Sequence, residues 1–141
     1  MHPRANEIVQ VANELVGLRY RHHGRGEGTI DCVGVPIYIA KKLGISDWDT
    51  KDYGPRPALH EFNRLIRETG ATRIPMNELS HGDMVQVSWE GTPPVHVGIV
   101  EVDERGQMWM IHAFLLHRKV SRDVVTPRMQ AGFVAAWRLP E

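Results

Sequence analysis

The sequence predicts an α+β fold, with N-terminal helices packed on an antiparallel β-sheet. Apolar residues recur at helical spacing through the first half of the 141 residues and alternate at strand spacing through the second. A hairpin signal, Asp103-Glu104-Arg105-Gly106, joins two of the apolar runs in the second half.

The elements follow in order. Ile8, Val9, Ala12, Leu15 and Val16 form one stripe of a first helix that Gly17 can end. The stretch Leu18 to Ile30, with glycines at 24, 26 and 28 and several basic residues, reads as a loop. Asp31 is then placed to cap a second helix, Cys32 to Leu43, with Val35, Ile39 and Leu43 on one face. Pro36 fits only in its first turn, and Lys41, Lys42 and Gly44 suit its C-terminal end. Past Pro55 and Pro57, a third helix spans about Leu59 to Glu68 and closes at Gly70. Strands are expected around Met84–Trp89 and over Val95–Val102, Met108–Phe114 and Phe133–Leu139.

Composition narrows the function classes. A chain of this length fits one domain, residues 1–141, able to bury a core without staples. Lys and Arg together number 17, as do Asp and Glu, so no net charge draws the chain to nucleic acid or an anionic membrane. No apolar run reaches the roughly 18–20 residues that span a bilayer. Met1 to Glu7 lacks the apolar stretch of a secretory signal, so synthesis as a soluble cytoplasmic chain is expected. The single cysteine excludes an internal disulfide and leaves the redox compartment open.

That cysteine opens the chemical reading. Cys32 follows a glycine-rich loop at a helix start, where unpaired N–H groups and the positive dipole end favour a thiolate. His96 and His112 each sit within an apolar strand, 16 positions apart, and an even spacing across a hairpin keeps both rings on one face. A cysteine nucleophile needs a base to take its proton and return it to the leaving amine, and the base needs a third group to orient it. Cys32, His96 and His112 fill these roles, with His112 expected to accept from the Nδ1–H of His96. The mechanism requires no metal or other cofactor.

Four blocks carry a family resemblance: Gly17-Leu18-Arg19-Tyr20, Asp31-Cys32-Val33-Gly34, Gly82-Asp83-Met84-Val85, and His96-Val97-Gly98-Ile99 with Ile111-His112-Ala113 downstream. As an ordered set they resemble the NlpC/P60 cysteine peptidases. The resemblance implies a papain-like fold, a Cys32–His96–His112 triad and hydrolysis of amide bonds in peptidoglycan stem peptides, commonly next to D-Glu. It further implies that Tyr20 helps hold the oxyanion and that Asp31 binds a substrate amine, beside their plainer roles of loop anchor and N-cap. Val33 stands where the family usually has serine, and Arg21-His22-His23 replaces a glycine pair, so Val33, His22 and His23 are substrate-side residues in which this chain departs from the pattern. Tyr20-Arg21-His22, Tyr53-Gly54-Pro55-Arg56-Pro57 and the Ala-Ala-Trp-Arg-Leu-Pro ending resemble a tail-associated subgroup of phages and prophages, which implies tail-tip partners and a virion that carries the enzyme to the wall. Two other readings use the same residues: a Cys-His-His zinc site, and a non-catalytic tail or wall-binding module of the same fold.

Overall fold

A computed structural model describes residues 1–89 and 95–141. Helix α1, Ala5–Glu14, buries Ala5, Ile8, Val9, Val11 and Ala12, with Leu15 just behind them. Each large apolar side chain so buried contributes about 1.5–3 kcal/mol before the entropy of ordering it. Val16, expected on this stripe, is 42% exposed because the helix has already ended and Gly17 turns the chain with a positive φ. The buried His2 ring bridges the ends of the molecule, 2.9 Å from the amide nitrogen of Arg4 and 3.0 Å from the carbonyl of Pro140.

The segment expected to be a loop contains two short strands, β1 (Arg19–Tyr20) and β2 (Thr29–Ile30), paired in parallel. Two residues are too few to show alternation, so periodicity could not reveal them. Helix α2 spans Gly34–Lys42, with Cys32 and Val33 in the turn before it rather than in its first turn. Val33, not Asp31, is therefore the N-cap, although Asp31 still reaches the helix start by accepting the Gly34 N–H at 2.8 Å. Gly34 permits this approach, since a Cβ there would lie 2.6 Å from the Gly24 carbonyl and 2.9 Å from the Asp31 carboxylate. Helix α3, Leu59–Glu68, has the expected bounds and buries Phe62, Leu65 and Ile66.

The remaining strands are β3 (Thr72–Ile74), β4 (Met84–Val87), β5 (His96–Val102), β6 (Met108–Phe114), β7 (Lys119–Val124) and β8 (Phe133–Arg138). A short helix α4, Pro127–Ala131, is capped by Thr126. The eight strands form one sheet in the order β2-β1-β7-β6-β5-β4-β8-β3, antiparallel except at β1–β2. Strands β3 and β7 were not expected from the sequence, and β4 ends two residues before Trp89. The Asp103–Gly106 turn joins β5 to β6, with Gly106 at φ +80°.

Alternation divides the sheet. Val97, Ile99, Ile111 and Ala113 belong to the core shared with α1, α2 and α3. Val85, Val87, Val100 and Met110 build a second cluster on the opposite face. The Gly82-Asp83 block is structural: buried Asp83 takes a two-pronged contact from Arg138, at 2.7 and 2.8 Å, tying the start of β4 to the end of β8.

Candidate active site

Cys32 lies half-buried in a cleft of about 180 Å³, whose lining includes Tyr20, His22, Asp31, Val33, Tyr53 and His96. The backbone N–H groups of Val33, Val97 and Cys32 itself favour its ionised form. Cys32, in the turn before α2, and His96, the first residue of β5, line this same cleft.

Register lays out the histidines. Continuing the β5–β6 pairing from Ile99↔Ile111 by one step puts Gly98 opposite His112, so His96 is the diagonal neighbour of His112 on the same face. Gly98 clears the space between them: a Cβ there would lie 2.5 Å from Met110 Cε and 3.0 Å from His112 Cβ. His96 Nε2 and His112 Nδ1 are 2.8 Å apart. The expectation that His96 would use Nδ1 toward His112 is corrected; Nδ1 is the nitrogen His112 leaves unengaged. On its far side, His112 Nε2 lies 2.7 Å from Asp123 Oδ2 on β7. Phe114 stacks on the His112 ring with centroids 5.1 Å apart, helping keep this imidazole only 1% exposed.

The loop side of the cleft is held differently. Asp31 Oδ1 accepts from Gly34 N–H and Arg25 Nη1, while Oδ2 accepts from His23 N–H and the Tyr53 hydroxyl. Arg25 also reaches Asp49, the Thr50 carbonyl and the Tyr53 oxygen. Asp31 thus borders the cleft with both oxygens already bonded to protein, and a substrate amine would have to displace one of these donors. The His23 ring bonds the Tyr53 carbonyl at 2.8 Å and lies outside the Cys32 cleft, in a neighbouring polar depression shared with His22, Arg21 and Lys51. His22 borders both depression and cleft. Val33 is buried and lines the cleft where the family pattern has a hydroxyl.

Burial pushes the Cys32 thiol up to about 12, helped by the Asp31 carboxylate and opposed by the three backbone N–H groups. Burial also drives His96 down to about 3, with His112 adding to the effect. His112 is lowered by burial, against the pull of Asp123. Burial thus favours the thiol over the thiolate and the neutral imidazole over the imidazolium. The thiolate expected from the helix start is opposed here, because Cys32 precedes the helix and desolvation works against the N–H dipoles beside it. Burial raises the Tyr20 phenol, as do the negative charges that Cys32 and Asp31 can carry, so its O–H stays a donor at neutral pH.

Asp123, Arg25 and Tyr53 were not singled out as site residues in the sequence. Asp123 lies on the unexpected strand β7; its one signal was an acid 11 positions beyond His112, on a segment able to return beside that strand. Among the described residues, no set of three or more His, Cys, Asp or Glu side chains is arranged to hold a metal ion, and no helix is long and apolar enough to cross a membrane.

The NlpC/P60 family profile matches residues 17–138. The chain belongs to the NlpC/P60 family. No curated protein matches it significantly by sequence. Among solved structures, an NlpC/P60 family protein from Bacillus cereus superposes with a TM-score of 0.70 at 22% identity, over 99% of this chain and 41% of that one. The peptidoglycan hydrolase RipB from Mycobacterium tuberculosis gives 0.59 at 19% identity, over 100% of this chain and 69% of that one. An N-acetylmuramoyl-L-alanine amidase from Bacteroides uniformis gives 0.61 at 14%, over 97% and 99%. At such identities the likeness is one of fold, and it places the chain in the mixed α+β NlpC/P60 architecture. This chain spans 41–44% of the length of the first three solved chains it resembles.

Proposed function

We propose that this chain hydrolyses an amide bond of a peptidoglycan stem peptide through an acyl-enzyme on Cys32. The observation that carries the reading is that Cys32 and His96 line one cleft, in which His96 has one ring nitrogen committed to His112. Similarity to a peptidoglycan hydrolase and to a muramoyl-alanine amidase supports the substrate class.

As the sulfur attacks the scissile carbonyl carbon, its proton passes to His96 Nδ1. The oxyanion is met by the Cys32 N–H and the Tyr20 hydroxyl. The His96 imidazolium then protonates the leaving nitrogen, the C–N bond breaks, and water, activated by the same imidazole, frees the acid and the thiol. Asp31 holds the Cys32 turn and, through Arg25 and Tyr53, shapes the subsite wall. The bond next to D-Glu is the proposed target, and carriage by a phage tail is the proposed setting, the latter resting on the sequence resemblance alone.

Incubating defined stem peptides with wild type and with Cys32→Ala, with products followed by mass spectrometry, tests the reading. Cleavage next to D-Glu that disappears in Cys32→Ala is expected; equal turnover by both proteins would refute it.

A further inference from the structure

Asp123 belongs to no block of the family resemblance, yet it completes a line of side chains running diagonally across three strands. In the β6–β7 register Ser121 sits opposite His112 and Asp123 opposite Met110, so Asp123 is the diagonal neighbour of His112 on the face that also carries His96. The two contacts, His96 Nε2 to His112 Nδ1 at 2.8 Å and His112 Nε2 to Asp123 Oδ2 at 2.7 Å, are both of hydrogen-bond length.

We infer that Asp123 is a positioning residue that sets the tautomers of both imidazoles and leaves His96 Nδ1 as a lone pair for the Cys32 proton. A carboxylate only accepts, so the proton of neutral His112 resides on Nε2. His112 Nδ1 is then an acceptor, and the 2.8 Å contact requires His96 to donate from Nε2. With that proton placed, His96 Nδ1 carries none. Without Asp123 the chain of requirements has no origin, because two neutral imidazoles can share one hydrogen bond in either direction. The wrong direction protonates His96 Nδ1 and removes the base.

Water does not substitute for the carboxylate. Asp123 is 33% exposed, and a depression lined by Phe114, His117 and Val124 opens onto it and His112. A water entering after truncation both donates and accepts, so it abolishes the tautomer preference without reversing it. His117, its Nδ1 held 2.8 Å from Ser121 Oγ, stands 3.9 Å from Asp123.

The inference rests on the hydrolase reading for its kinetic consequence but not for its test by ring shifts. Full-length protein with ¹⁵N-labelled histidine is compared as wild type, Asp123→Ala and the isosteric Asp123→Asn. In wild type the imidazole ¹⁵N shifts are expected to show His112 protonated at Nε2 and His96 protonated at Nε2; Asp123→Ala is expected to show mixed tautomers at both rings. On a cleavable stem peptide, Asp123→Ala is expected to lower kcat on the order of ten- to a hundredfold with KM held within about twofold, and to add nothing in a His112→Ala background. Unchanged ring shifts in both variants, or a kcat loss that persists undiminished without His112, would overturn the inference. Should wild type cleave no wall peptide, the hydrolase reading falls while the ring shifts still decide the tautomer assignment.

Discussion

The two walls of the cleft are built on opposite principles. The loop wall, from Tyr20 to Gly34, has almost no regular structure and is fixed by one buried carboxylate that gathers four donors from separate points of the chain. On the strand wall, His96, His112 and Asp123 need no hub, because antiparallel register places each as the diagonal neighbour of the next. Removing the hub should therefore unmake a wall, whereas removing a strand side chain should leave the wall standing and alter only its chemistry.

The largest separation of the two is expected at His96. His96→Ala should lower kcat/KM on the order of 10²- to 10⁴-fold, the usual worth of a general base, while the urea midpoint of unfolding changes little. His112→Ala should lose less, since an orienting group matters less than the base; the reverse order in steady-state kinetics would mean that the two roles are exchanged.

Asp31→Ala should do the opposite, costing about 3–5 kcal/mol in denaturant unfolding at constant m, because Arg25, Tyr53 and two backbone N–H groups lose a buried partner. If Asp31→Ala retained full stability, the hub account of the loop wall would be wrong. Gly98→Ala probes the strand wall sterically. Its new methyl meets Met110 and His112, and a stability loss of about 1–3 kcal/mol with a lowered kcat is expected.

The smallest expected effect is on pH. His96 is held near 3 in the folded chain, against an ordinary 6.5, so the unfolded state binds more protons between these values. The stability that neutral His96 contributes is complete above about pH 6.5 and is lost as the pH falls toward 3. Between pH 6.5 and 5, above the range of the lowered carboxylates Asp49 and Glu101, one such group can tilt stability by at most about 1.4 kcal/mol per pH unit. Thermal melts across this window should show a shallower acid slope for His96→Gln than for wild type, and identical slopes would mean that His96 is not held neutral by burial.

Legibility in the sequence followed the same division. Where a wall is periodic, its residues could be read: α3, the β5–β6 hairpin and the even spacing of His96 and His112 needed only side-chain period. Strand β7 escaped because Lys-Val-Ser-Arg-Asp-Val alternates poorly, and Asp123 escaped with it. Arg25 and Tyr53 escaped for another reason: they reach Asp31 from 6 and 22 residues away along irregular chain, which no period encodes.

By itself, the sequence determined that α1, α2 and α3 precede the long strands β4, β5 and β6, that a lone cysteine follows a glycine-rich loop, and that two strand histidines share a face, because these properties depend on spacing along the chain. Tertiary structure alone decided that the cleft buries the thiol enough to disfavour its ionisation, that Asp31 is saturated by protein donors, and that an acid backs His112. Desolvation and hydrogen-bond saturation depend on what every other segment brings to a point in space, and local spacing carries no record of that.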